Sequence, residues 1–169
     1  MMNQKIQDAF NGQVNAELFS SYLYLSMAAY FESQNLKGMA HWMQIQAQEE
    51  HMHAMKFFDF INECGARVAL TQIGTPKTEW GSPLEVFEDS CKHESKVTGL
   101  INDLVELSLV EKDHAANAFL QWFVTEQVEE EAAAQEIRDK LKLVSDNPVA
   151  LFMIDQELGQ RAAPGAPTG

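Results

Sequence analysis

Apolar residues recur every three or four positions along four long stretches of the chain, and each stretch ends in residues typical of turns. The first, from about Lys5 to Gln34, carries Ile6, Phe10, Val14, Tyr24, Ala28 and Phe31 on one stripe, the period of an amphipathic helix, with Glu17 and Ser21 on the same line. The second starts from Asn35, an N-cap residue by type. It runs through Met39, Trp42, Gln46, Glu50, His53, Phe57, Phe60 and Cys64 to Gly65, a natural C′ residue. Ser82-Pro83-Leu84-Glu85 opens the third as a capping box with proline at the first helical position. Its stripe is Leu84, Phe87, Cys91, Glu94, Thr98, Ile101 and Val105. Asp113 caps the fourth, whose stripe is Ala116, Leu120, Phe123, Gln127, Glu130, Ala134, Ile137 and Leu141.

Each helix spans about 28 residues, or ~42 Å. The short turns Ser33-Gln34-Asn35 and Glu111-Lys112-Asp113 make antiparallel neighbours of the helices they join. The middle connection, Gly65 to Gly81, holds Thr75-Pro76 and no helical period. At ~3.3 Å per residue it reaches about 55 Å, enough to cross a bundle end to end. Asn147-Pro148 begins a fifth, short helix ending near Leu158. Its Val149, Leu151, Phe152, Met153 and Ile154 leave little polar face, so it is expected to pack outside its own bundle. The pattern predicts an all-α fold: a four-helix bundle with one long crossover connection and a short fifth C-terminal helix. One domain covers residues 1–160, and a flexible tail is expected at 161–169.

Polar residues interrupt these stripes in a repeated way. Glu17 is followed 33 and 36 positions later by Glu50 and His53, and Glu94 at the same intervals by Gln127 and Glu130. Each set straddles a turn at its midpoint, so folding back brings its members to one height near mid-helix. A buried ionised carboxylate costs several kcal/mol even after relaxation. Four facing one another require counter-ions, and two divalent metals supply four positive charges. Oxygen ligands with one imidazole suit iron or manganese, and zinc competes. Tyr24, one turn from Ser21, either satisfies its hydroxyl in the core or donates a hydrogen bond or an electron to such a centre. Glu49, Glu126 and Glu129 lie about 100° around their helices from inward positions. They are either a solvated acidic face or a third, more exposed cation site, while Glu131 reads as solvated. His41, His51, His93 and His114 fall off the stripes and are expected at the surface.

Charge narrows the partners. Lys and Arg number 12 against 25 Asp and Glu, a formal net charge of −13, which disfavours nucleic-acid backbones and anionic membranes and attracts cations. No run approaches the roughly 20 apolar residues of a membrane span, and the first residues lack the pattern of a signal peptide. A cytoplasmic location is expected. Cys64 and Cys91, without a C-x-x-C pairing, read as reduced and mostly buried thiols.

The segments ELFSSYLY at 17–24, QEEHMH at 48–53, Glu94, and FLQWFVTEQVEEE at 119–131 resemble the bacterial non-haem ferritins over essentially the whole chain. That resemblance implies a hollow homo-oligomeric cage of 24 subunits with a ferroxidase centre. It implies oxidation of Fe(II) by dioxygen or peroxide and storage of a ferric mineral. By the same resemblance Glu17, Glu50 and His53 hold a first iron. A bridging Glu50 with Glu94 and Glu130 holds a second, with Gln127 close by. Glu49, Glu126, Glu129 and Glu130 match a third iron site, and Tyr24 and Trp122 match aromatic residues beside the centre. Haem is not implied: Gln127-Val128-Glu129-Glu130 replaces the second Glu-x-x-His of haem-containing relatives, and His51 replaces their methionine ligand. Asn117 and Leu120 stand where animal ferritins line a three-fold channel with acids, and Met52 and Met55 leave only Glu49 of their nucleation patch. The alternative is a rubrerythrin-like di-iron oxidase or peroxidase without storage. Such proteins usually carry a second Glu-x-x-His and often Cys-x-x-Cys pairs, and both are missing here.

Overall fold

The computed structural model describes residues 2–144 and 146–165. Five helices follow in order: α1 Gln4–Ser33, α2 Lys37–Glu63, α3 Pro83–Val110, α4 His114–Val144 and α5 Pro148–Leu158. α1 packs on α2, α3 on α4, and α1 also on α3, while α5 docks against α2 and α4.

Local chemistry sets the ends. Asn3 caps α1 by accepting from the Lys5 N–H, and Asn147 caps α5 by accepting from Val149 and Ala150. Ser82 accepts from the Glu85 N–H at 3.2 Å as expected, but the Glu85 carboxylate reaches back to Gly81, not to Ser82. Asp113 Oδ1 caps α4 through the Ala116 N–H. Asn35 is not the N-cap of α2. It adopts φ 57°, and Leu36 holds the cap position without a side-chain bond. Asparagine tolerates the left-handed conformation, and here the tight α1–α2 turn uses it that way. Gly65 terminates α2 with φ +69°.

Residues 66–81 contain no helix and run the length of α1. Asn11 pins this crossover at Arg67 and Ala69, Asn15 at Thr71 and Gln72, and Ser26 at Lys77. The anchors advance along α1 in the same direction as the crossover, so α3 starts beside the far end of α1 and runs antiparallel to it. Tyr24 opposite Ser90 and Ser20 opposite His93 confirm that register.

The core is two apolar clusters separated by a polar layer. One gathers Tyr24, Met27, Phe31, Met39, Trp42, Met43, Phe87, Ile137 and Leu141. The other gathers Ile6, Phe10, Val14, Phe57, Ile61, Ile101, Leu104, Leu120 and Phe123. The second is an aromatic nest, with Phe60 stacked on Phe119 at 4.1 Å and Phe57 tilted on Phe123 at 4.4 Å. Such pairs add ~0.5–1.5 kcal/mol each beyond area burial, which makes this a stiff floor for the layer above. Between the clusters lie buried Gln13, Glu17, Gln46, Glu50, His53, Glu94, Gln127 and Glu130.

α5 divides its faces. Ile154, Asp155 and Leu158 are buried against the chain's own bundle, which corrects the expectation that the helix packs only outside it. Asp155 Oδ1 accepts from the Met39 N–H at 2.9 Å, and Gly38 lets the Asp155 backbone approach. The other face leaves Val149, Phe152 and Met153 exposed. Cys64 and Cys91 are free, as expected, but half-buried rather than enclosed.

Candidate metal centre

α1 contributes Glu17, α2 Glu50 and His53, α3 Glu94, and α4 Gln127 and Glu130, all buried. The stripes put these residues inside because each replaces an apolar side chain in a 3.6-residue period. The short turns and the antiparallel register then bring them level. Ligand atoms of Glu17, Glu50 and His53 all lie within 4.8 Å of one another, and so do those of Glu50, Glu94 and Glu130. Glu50 belongs to both groups, and its Oε2 is 3.4 Å from His53 Nδ1.

Two glutamines orient these carboxylates. Gln13 donates to Glu17 at 2.8 Å, and Gln46 donates to Glu50 at 3.0 Å and to Glu130 at 2.6 Å. The Tyr24 hydroxyl donates to Glu94 and lies 3.0 Å from Ser90 Oγ. Glu17 Oε2 is buried without a hydrogen-bond partner among the described residues. A buried carboxylate oxygen with no donor is costly unless a cation meets it.

Electrostatics point the same way. Burial, then the neighbouring Glu50 charge, pushes Glu17 up to about 8. Burial and then Glu94 push Glu130 up to about 7. Glu50 stands well above the ordinary carboxylate range through burial, then Glu94 and Glu130. Glu94 is raised by burial although Tyr24 and Gln127 donate to it. Burial and the facing Glu94 hold the Tyr24 phenol well above its usual value, so it stays protonated. Four carboxylates and one imidazole, with one oxygen lacking a donor, fit two hard divalent cations.

The flanking residues divide. Glu126 joins His53 and Glu130 in a third grouping within 4.8 Å, with His53 Nε2 4.0 Å from Glu126 Oε1. Glu129 is exposed and enters none of the groupings found among the described residues. Glu49 is half-buried and ion-paired with Arg161. Trp122 lies edge-on to His53 at 5.4 Å, and the Lys56 ammonium sits 4.2 Å over its ring.

His93 departs from the expected surface position. It is half-buried between α1 and α3, 2.8 Å from Ser20 Oγ and edge-on to Tyr24, and burial lowers it to about 4. His41 is also half-buried, against the Arg161 carbonyl, whereas His51 and His114 are exposed. Gln13 and Gln46 also act on the layer, a part that the apolar stripes alone do not announce. The signal was present: each stands four residues before a layer glutamate, and the two are themselves 33 apart.

Helices, crossover and buried carboxylate layer together define a ferritin-like bundle. A family model for the ferritin-like domain matches residues 7–144. The bacterial non-heme ferritin of Bacteroides fragilis is 48% identical over 161 residues, covering 95% of this chain and all of that one. That of Staphylococcus saprophyticus is 38% identical, covering 96% and 97%. The crystal structure of an open-pore ferritin from Archaeoglobus fulgidus superposes with a TM-score of 0.95 at 51% identity, over 96% of this chain and all of that one. The chain belongs to the ferritin family. Among the described residues, no helix is long and apolar enough to cross a membrane.

Proposed function

We propose that this protein stores iron: it oxidises Fe(II) at a di-iron ferroxidase centre and keeps the ferric product as mineral inside an oligomeric cage. Iron is the substrate, and Glu50, shared by two three-ligand groups, is the observation that carries the reading. Glu17 and His53 complete the first position, and Glu94 and Glu130 the second. Gln127 lies beside the second. Glu126, Glu130, Glu49 and Glu129 are assigned to a third cation, with Glu126 the best placed. The family resemblance supplies the 24-subunit count, the free Cys64 and Cys91 suit a cytoplasmic location, and the exposed face of α5 is a surface that an assembly would bury.

The chain's residues manage protons and charge. Before iron binds, Glu17 and Glu130 hold protons near neutral pH, which relieves the repulsion in the layer. Two Fe(II) displace those protons and are balanced by Glu17, Glu50, Glu94 and Glu130. Each iron then gives one electron, so a pair reduces dioxygen to peroxide with uptake of two protons, or reduces peroxide to water. Tyr24 donates a hydrogen bond to Glu94 and fixes that ligand.

The test is aerobic addition of many Fe(II) equivalents, followed by particle mass and soluble ferric iron. Storage gives a large particle retaining far more than three irons per subunit. A small oligomer that holds only two favours a rubrerythrin-like oxidase without storage.

A further inference from the structure

We propose that Arg161 competes with the third cation for Glu49 and thereby sets that site's affinity. This rests on the third-site assignment above. Arg161 stands three residues past the end of α5, yet it is held in place on one face of α2. Its Nη2 donates to Glu49 Oε2, and its Nη1 donates to the Trp42 carbonyl at 3.3 Å. The guanidinium carbon lies 4.3 Å over the Trp42 ring, and the Arg161 carbonyl is 2.8 Å from His41 Nε2. Trp42 and Glu49 are seven residues apart, two helical turns, so the planar fork spans one stripe. The pair is partly withdrawn from water, with side-chain exposures of 21% and 26%.

Glu49 feels the charge of both Glu126 and Arg161. Held by Arg161, its carboxylate joins none of the three ligand groupings found among the described residues, yet Glu49 stands one helical turn before His53, which lies 4.0 Å from Glu126. A divalent ion arriving there meets the guanidinium charge at short range, and the two repel. Loading the third position loosens Arg161, and an empty third position leaves Glu49 neutralised. Arginine suits this task because its fork is held by stacking and two acceptors at once, which a lysine ammonium does not reproduce. The first two positions are more deeply buried, although His53 and Glu130 still feel the Glu49 charge.

The experiment uses the assembled protein and anaerobic titration with Zn(II), which carries no redox step, comparing wild type with Arg161→Gln and Arg161→Lys. The expected result is a third Zn(II) per subunit bound about fivefold more tightly in Arg161→Gln, the scale of a partly exposed ion pair. The first two binding steps shift less than the third, and Arg161→Lys falls between. A third Zn(II) that binds only in Arg161→Gln supports the same competition in a stronger form. Equal third-step affinity in all three proteins overturns the role of Arg161 while the third site stands. No third Zn(II) in any of them overturns both. A fall in Tm with all three steps moving together identifies a merely structural contact and also overturns the proposal.

Discussion

Gln127 Nε2 donates to Glu94 Oε2 at 3.2 Å, on the side of the carboxylate away from Tyr24. The same nitrogen reaches the Glu94 carbonyl at 3.3 Å and Thr98 Oγ1 at 3.2 Å, so the amide is fixed against α3. In the first half of the internal repeat the equivalent position is Glu50. A carboxamide adds no negative charge and is a poorer ligand for a hard cation. In the proposed di-iron centre this makes the second position the weaker one.

Gln127→Glu places a fifth carboxylate against Glu94. The variant should bind the second iron more tightly and regenerate its fast oxidation phase about tenfold more slowly than wild type, with the first turnover little changed. Stopped-flow oxidation over successive Fe(II) additions measures this. Equal regeneration in the two proteins contradicts a role for Gln127 in product release.

The layer also predicts how stability depends on pH. Glu17 rises from 4.5 to about 8 on folding and Glu130 to about 7. A raised folded value stabilises the protein fully below the unfolded value and is lost as pH rises through the folded one. The Tm of metal-free protein should therefore fall between pH 4.5 and about 8. Zn(II) should abolish that fall, because the metal takes the place of the protons. A metal-free Tm that rises steadily across this window contradicts the protonated layer.

Gly38 is the point where α5 meets α2. A Cβ there would lie 1.6 Å from the Asp155 carbonyl oxygen, and backbone cannot swing aside as a side chain can. Gly38→Ala should force α5 away, disrupt the Met39–Asp155 bond, and cost about 1–3 kcal/mol. The thermal melt should drop by about 5 °C, and the particle should weaken because the exposed face of α5 moves with it. Unchanged Tm and particle mass contradict this docking.

Among the residues assigned to the proposed third cation, the structure separates two that the sequence treats alike. Glu126 faces His53 and Glu130, while Glu129 is exposed. Glu126→Ala should remove the third tightly bound cation and preserve the fast first turnover, whereas Glu129→Ala alone should weaken it less. Metal counting in soaked crystals decides, and equal losses in the two variants contradict the geometry.

Much of this was legible in sequence, for a physical reason. A buried carboxylate keeps the helical period of the apolar residues around it, so Glu17, Glu50, Glu94 and Glu130 reveal their inward direction before any contact is known. The crossover was legible because residues 66–81 lack a period. Other features depend on tertiary proximity that no local pattern carries. His93 lies off the α3 stripe that faces α4 and is covered by α1 instead. Arg161 folds back over 112 positions of sequence to reach Glu49. Asn35 misled because asparagine serves both N-caps and left-handed turns, and the three-residue connection selects the second. In α5, nothing local marks Asp155 as the buried acceptor of the Met39 N–H, 116 positions away.

Glu50 belongs to two ligand groupings and, on the proposed function, joins two iron positions in one oxidising centre. Anaerobic loading of two Fe(II) per subunit, then rapid mixing with dioxygen, tests it in wild type and Glu50→Ala side by side. Removing the shared carboxylate should slow oxidation by at least about tenfold and lower the number of tightly bound irons, while the helical content of the bundle is retained. Wild-type initial rates in a folded Glu50→Ala protein would contradict the account.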